Sequence, residues 1–239
     1  MAQVTVIILA AGSGKEDDAA LPPLLSERNG ILLIEQIFRQ IDFDARIIIV
    51  LQERQAKDES IGSILSVLCP EVEVVLAPGP TAGAACSALL AVDHVDPEHE
   101  LLLLNANEFV EIRPAEVIEV FRSRDLDAGT VVFPSLHPRY CYARVDADDL
   151  VEEVSEKRPI SRDAVAGFFW WRYGGDFLVC AADMVRTRND VNGHFYVCPT
   201  LNEMVLLGKQ TGVFRIDRTA YHPLKTEAQS RAFQDGAVA

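Results

Sequence analysis

Val4-Thr5-Val6-Ile7-Ile8-Leu9-Ala10-Ala11-Gly12-Ser13-Gly14-Lys15 opens the chain. Six apolar or β-branched residues end abruptly in small ones, the pattern of a buried strand feeding a tight loop. Gly12 and Gly14 lack a Cβ, so the backbone there can bend sharply and approach a ligand closely. A helix following such a loop offers free N–H groups and a positive dipole end to a phosphate. Glu16-Asp17-Asp18 then place three carboxylates where a phosphate loop is normally basic or neutral.

The same strand character recurs at residues 46–51, 72–76, 101–104 and 130–133, with helical patterns at 33–41, 59–68, 84–92 and 115–124 between them. That alternation is the signature of successive βαβ units, and predicts a three-layer α/β fold with a mostly parallel central sheet. Ile47-Ile48-Ile49-Val50-Leu51 and Leu101-Leu102-Leu103-Leu104 are apolar without alternation, as strands covered on both faces are. After Pro134 the rhythm changes. Residues 141–145 and 150–154 read as two short strands around an acidic turn, and 166–172 as an aromatic strand. Helices are expected from Gly174 to about Val185 and over 199–207, while 226–239 carries too little apolar pattern to place. No linker or repeat interrupts the 239 residues, which predicts one continuous domain with a first half (1–134), an elaborated second half (135–225) and a tail (226–239).

Bulk composition narrows the function. Apolar residues make up 49% and charged residues 24%, an ordinary globular balance. A net charge of −14 repels phosphate backbones, so nucleic acid is not expected as a partner. No stretch approaches the roughly 20 apolar residues of a membrane span, and the N-terminus lacks a signal-peptide pattern. The five cysteines, scattered and without a Cys-x-x-Cys, read as reduced core residues of a cytoplasmic protein. His94 and His99 bracket an acidic turn and read as solvated rather than as zinc ligands.

These features together resemble the sugar-phosphate nucleotidyltransferases, the nucleotide-diphospho-sugar pyrophosphorylases, and among them a bacterial surface-polysaccharide branch. Leu9-Ala10-Ala11-Gly12-Ser13-Gly14 resembles the family's nucleotide loop, and Thr81-Ala82-Gly83 its base- and ribose-contacting turn. Leu103-Leu104-Asn105-Ala106-Asn107 is similar to its metal-bearing strand end. Glu156-Lys157 with Gly167 resembles its sugar-phosphate region, and residues 192–209 resemble the polysaccharide branch. The resemblance implies that Leu9, Ala10, Ala11, Gly12, Gly14, Thr81, Gly83 and Asn107 contact a nucleotide, and that Glu156, Lys157 and Gly167 contact a sugar phosphate. Lys157 would neutralise phosphate as a point charge, Glu156 would accept from sugar hydroxyls, and Gly167 would leave room for the ring.

Three groups that the family uses for charge are replaced. Glu16 stands at the arginine after the glycine loop, Pro22 at a lysine between prolines, and Asn107 at the metal-binding aspartate. Displacement at a phosphate is assisted mainly by positioning and cationic charge, and losing one such group costs roughly 10²–10³ in rate. The resemblance with these departures implies a pocket for a nucleotide sugar or sugar phosphate with weak or no catalysis, in surface-polysaccharide metabolism, as a homodimer or beside an active enzyme. The alternative is an active nucleotidyltransferase using Mg²⁺, with Lys15 and Lys157 supplying charge and Glu108 or Asp217 binding metal. A glycosyltransferase ranks last, because Asn105-Ala106-Asn107-Glu108 supplies a single carboxylate. Phe168-Phe169-Trp170-Trp171, Tyr140 and Tyr142 are read as core before ligand.

Overall fold

A computed structural model describes residues 4–12, 22–58 and 61–236. The first half runs β1 (Val4–Leu9), β2 (Glu27–Arg28), β3 (Ile31–Leu32), α1 (Leu33–Gln40), β4 (Ala45–Gln52), α2 (Glu53–Asp58), α3 (Ile61–Leu68), β5 (Glu73–Ala77), α4 (Ala84–Leu89), β6 (Glu100–Asn105), β7 (Glu108–Val110), α5 (Pro114–Ser123) and β8 (Ala128–Pro134). The second half adds β9 (Cys141–Val145), β10 (Val151–Glu156), β11 (Asp163–Trp171), α6 (Gly174–Arg186), α7 (Thr200–Leu206), β12 (Thr211–Arg215), β13 (Tyr221–Pro223) and α8 (Glu227–Gln234).

Among the described residues nine strands share one sheet, in the path β10-β9-β11-β6-β1-β4-β5, with β8 beside β11 and β12 beside β8. β5, β4, β1 and β6 run parallel, and the buried Ile7 lies between Ile48 and Leu103 in register. The expected mostly parallel α/β sheet is therefore present. β8 does not adjoin β6, because β11 comes back antiparallel and inserts between them.

β11 explains its own aromatics by the strand period of two. Phe168 and Trp170 enter the core on one side of the sheet, Phe169 and Trp171 the core on the other. Trp170 stacks on Phe121 of α5 at 5.6 Å and Trp171 lies 4.8 Å from Phe177 of α6. The same strand changes partner midway. Residues 163–165 pair with β8 and β9, residues 168–171 with β6 and β8, and the register shifts between Val165 and Phe169. Gly167, at φ +59°, makes that bulge, and the Thr130 hydroxyl donates to the Phe168 carbonyl at 2.7 Å.

The C-terminal segment that the sequence left unplaced is helical. Thr226 caps α8 in a reciprocal capping box with Gln229, and Phe233 is buried against Phe109. Of the expected helix over 59–68, residues 61–68 form α3, preceded by the separate α2, and residues 59 and 60 lie outside the described residues. The expectation of five reduced cysteines is corrected: Cys141 and Cys198 are joined in a disulfide, while Cys69, Cys86 and Cys180 are free. The two are 57 residues apart in sequence, and only the fold brings them together. No helix among the described residues is long and apolar enough to cross a membrane.

β13 also buries His222 beside Glu111, with Phe109 and Phe233 around it. Burial is the main cause that holds its pKa below the ordinary histidine value; Glu111 opposes this and Arg28 adds to it. A group with a depressed folded pKa of this kind contributes stability above its unfolded pKa, about 6.5, and loses it as pH falls through the folded value. Thermal melts from about pH 7.5 to pH 5.5 are expected to show Tm falling, with a shallower fall in His222→Gln. An equal slope in both proteins would remove His222 as a cause.

Candidate active site

The loop after β1 is held from below. Ala10 N–H donates to the Val50 carbonyl at 2.9 Å, Ala106 N–H to the Leu9 carbonyl at 3.0 Å, and the Gln52 amide to the Ala11 carbonyl at 2.9 Å. Leu9, Ala11 and Gly12 form one wall of a cavity of ≈ 430 Å³ at the C-terminal ends of the parallel strands, where ligands of open α/β sheets usually bind. Ala10 points its amide into the sheet and is outside the lining. Gly14, Lys15 and Glu16 lie outside the described residues.

Thr81 and Gly83 form the next wall. Gly83 has φ +127°, and a Cβ there would lie 2.7 Å from Phe195 N and 2.9 Å from Phe195 C. The close approach is used twice: Phe195 N–H donates to the Ala82 carbonyl at 2.8 Å and Ala85 N–H to the Phe195 carbonyl at 3.0 Å. Thr81 shares a hydrogen bond of 2.7 Å with Ser87, so in this structure its hydroxyl braces the turn.

Asn107, Glu156, Lys157 and Gly167 line the same cavity. Asn107 is exposed, and its carbonyl accepts from Leu224 N–H at 2.8 Å. Lys157 sits at φ +57° and donates to the Tyr196 hydroxyl at 2.5 Å. Burial pushes the Glu156 carboxyl up to about 7, against the lowering pull of Lys225 and Lys157. The fold thus gathers nine of the eleven expected contact residues around one space. Pro22 stands at the start of a short 3-10 turn and is not in the wall.

Six further groups line the cavity: Arg139 and Lys225 fall in no motif, Glu108 is expected only as an alternative metal ligand, Tyr140 as core before ligand, and His194 and Tyr196 only within the 192–209 stretch. Glu108 is buried, accepting from Asn105 Nδ2 at 2.7 Å and from the Tyr221 hydroxyl, with Lys225 Nζ 3.7 Å away. Both oxygens are engaged, which leaves it poorly placed to take over a magnesium ion. Asp217 is exposed and outside the lining. Tyr142 is core, and its hydroxyl donates to the His137 carbonyl. Lys225 lay at the edge of the unplaced tail, where no periodicity drew attention to it.

No protein-family model matches the sequence, and no curated protein matches it. Solved structures do. The nucleoside-diphosphate-sugar pyrophosphorylase of Vibrio cholerae RC9 superposes with TM-score 0.79 at 17% identity, over 97% of this chain and 99% of that one. A chain described as a putative glucose-1-phosphate thymidylyltransferase of Bacillus anthracis, in complex with a sucrose, gives 0.74 at 16%, over 97% and 94%. The inositol-1-phosphate CTP transferase of T. maritima gives 0.71 at 14%, over 98% and 98%. The fold is the one those three share. At such identities the likeness reaches the fold and stops there.

Proposed function

We propose that the cavity binds a sugar phosphate or nucleotide sugar, and that transfer chemistry in it is weak or absent. The observation that carries the reading is the convergence of Lys157 and Lys225 on one cavity, in whose wall Gly167 packs directly against Glu108 and Asn105. Two ammonium groups supply the charge complement for a phosphate, and Glu156 and Asn107 offer polar contacts to hydroxyls. The pyrophosphorylase and transferase names of the structural neighbours support the substrate class. Against catalysis stand Pro22 and Asn107, which bring no cationic or anionic charge to a reacting phosphate.

A working nucleotidyltransferase is the second reading, favoured by Lys157 and Lys225 as replacement cations. Pyrophosphate release with Mg²⁺, across nucleoside triphosphates and sugar 1-phosphates, separates the two. Silence throughout, with calorimetric binding of a sugar phosphate or nucleotide sugar, is the expected result. Turnover with any pair would overturn the proposal of weak or absent transfer.

A further inference from the structure

Cys141 on β9 and Cys198 ahead of α7 face each other across the cavity wall, and Glu156 at the end of β10 joins them. One ligand atom from each of the three lies within 4.8 Å of the other two. Both cysteines are buried, with 6% and 3% of their surface exposed, and Glu156 is half-buried. Their Cα atoms are 6.6 Å apart. Two sulfurs on one zinc ion stand about 3.8 Å from each other, given Zn–S bonds of about 2.3 Å in a tetrahedron. A Cα separation of this size serves either arrangement.

We propose that, once the Cys141–Cys198 bond is reduced, Cys141, Cys198 and Glu156 bind a zinc ion whose fourth position opens into the cavity. Reduction by a dithiol adds two electrons and two protons to the bridge, giving two thiols and leaving the reductant as a cyclic disulfide. Zinc then displaces the thiol protons and binds two thiolates and the Glu156 carboxylate. Two sulfurs and one oxygen favour zinc over magnesium or calcium, which take oxygen ligands. Three protein ligands with one place left open is the pattern of zinc sites that admit a further ligand. Two thiolates and a carboxylate leave the zinc complex one negative charge, and Lys157 and Lys225 stand near to balance it. The proposal does not rest on the sugar-phosphate reading, since all three ligands come from the chain itself.

The test compares the full chain oxidised and reduced, titrated with Zn²⁺ against a chromophoric chelator. The reduced protein is expected to take up one equivalent and the oxidised protein none. Co²⁺ in place of Zn²⁺ is expected to give thiolate-to-metal charge-transfer absorption in the near ultraviolet, lost in C141S and in C198S and weakened in affinity in E156Q. Circular dichroism and thermal melts of each variant establish that it is folded. No uptake by the folded, reduced protein overturns the proposal, as does uptake that survives in a folded C141S/C198S double variant.

Discussion

Gly167→Ala is expected to destabilise the protein by about 3–5 kcal/mol, through a collision inside the cavity wall. Gly167 lies at φ +59°, where a side chain costs about 1–2 kcal/mol by itself. Its new Cβ would lie 2.5 Å from Glu108 Cδ and 2.7 Å from Asn105 Nδ2. Glu108 cannot move aside freely, because Tyr221 and Asn105 hold its two oxygens in a buried setting. Displacing it strands a buried carboxylate, the larger part of the cost. Urea unfolding of Gly167→Ala, Glu108→Ala and the double variant measures this. The double variant is expected to be clearly more stable than the sum of the singles predicts, because removing the carboxylate removes the larger part of the collision and leaves the Asn105 contact. Simple additivity would assign the whole loss to backbone strain and dissolve the Gly167–Glu108 coupling.

How far the sequence could be read follows from which signals are local. β1, β4 and β6 announce themselves because strands buried on both faces are apolar at every position, and the helices between them are legible by period. The place of β11 was not, since insertion between β6 and β8 is decided by pairing between residues 29 to 70 apart in sequence. Thr226-x-x-Gln229 was a readable capping box passed over because the helix it starts has few apolar residues. At the site, Gly83, Gly167, Glu156 and Lys157 were found through short motifs. Lys225 and Arg139 were not, because each reaches the cavity from a different distant segment and carries no motif, and Tyr196 was legible only as part of the 192–209 stretch. The Cys141–Cys198 bond is the plainest case: an odd, scattered set of five cysteines gives no pairing, and proximity appears only once β9 and the segment before α7 are packed.

Loss of both cavity lysines is expected to abolish measurable phosphate binding. Lys157→Ala and Lys225→Ala each remove one charged donor, worth about 1.5–3 kcal/mol toward an anionic ligand, or roughly tenfold to a hundredfold in Kd. Their ammonium groups approach from separate elements, Lys157 just past β10 and Lys225 between β13 and α8. Each has its own nearest partner, Tyr196 for Lys157 and the Glu108 carboxylate for Lys225, but both also act on Glu156, so the two losses are not expected to add strictly and together reach about 10²–10⁴. Lys225→Ala has a second consequence that distinguishes a binding role from a structural one. It removes the ammonium 3.7 Å from buried Glu108, so its melting temperature is expected to fall, while that of Lys157→Ala, whose hydrogen-bond partner is the Tyr196 hydroxyl, falls less. Isothermal titration with a sugar 1-phosphate and with inorganic phosphate reads the first effect, and calorimetric melting the second. Equal affinity in the parent and the folded double variant would mean that the phosphate, if bound at all, sits elsewhere, and the convergence of Lys157 and Lys225 would lose its meaning as a phosphate site.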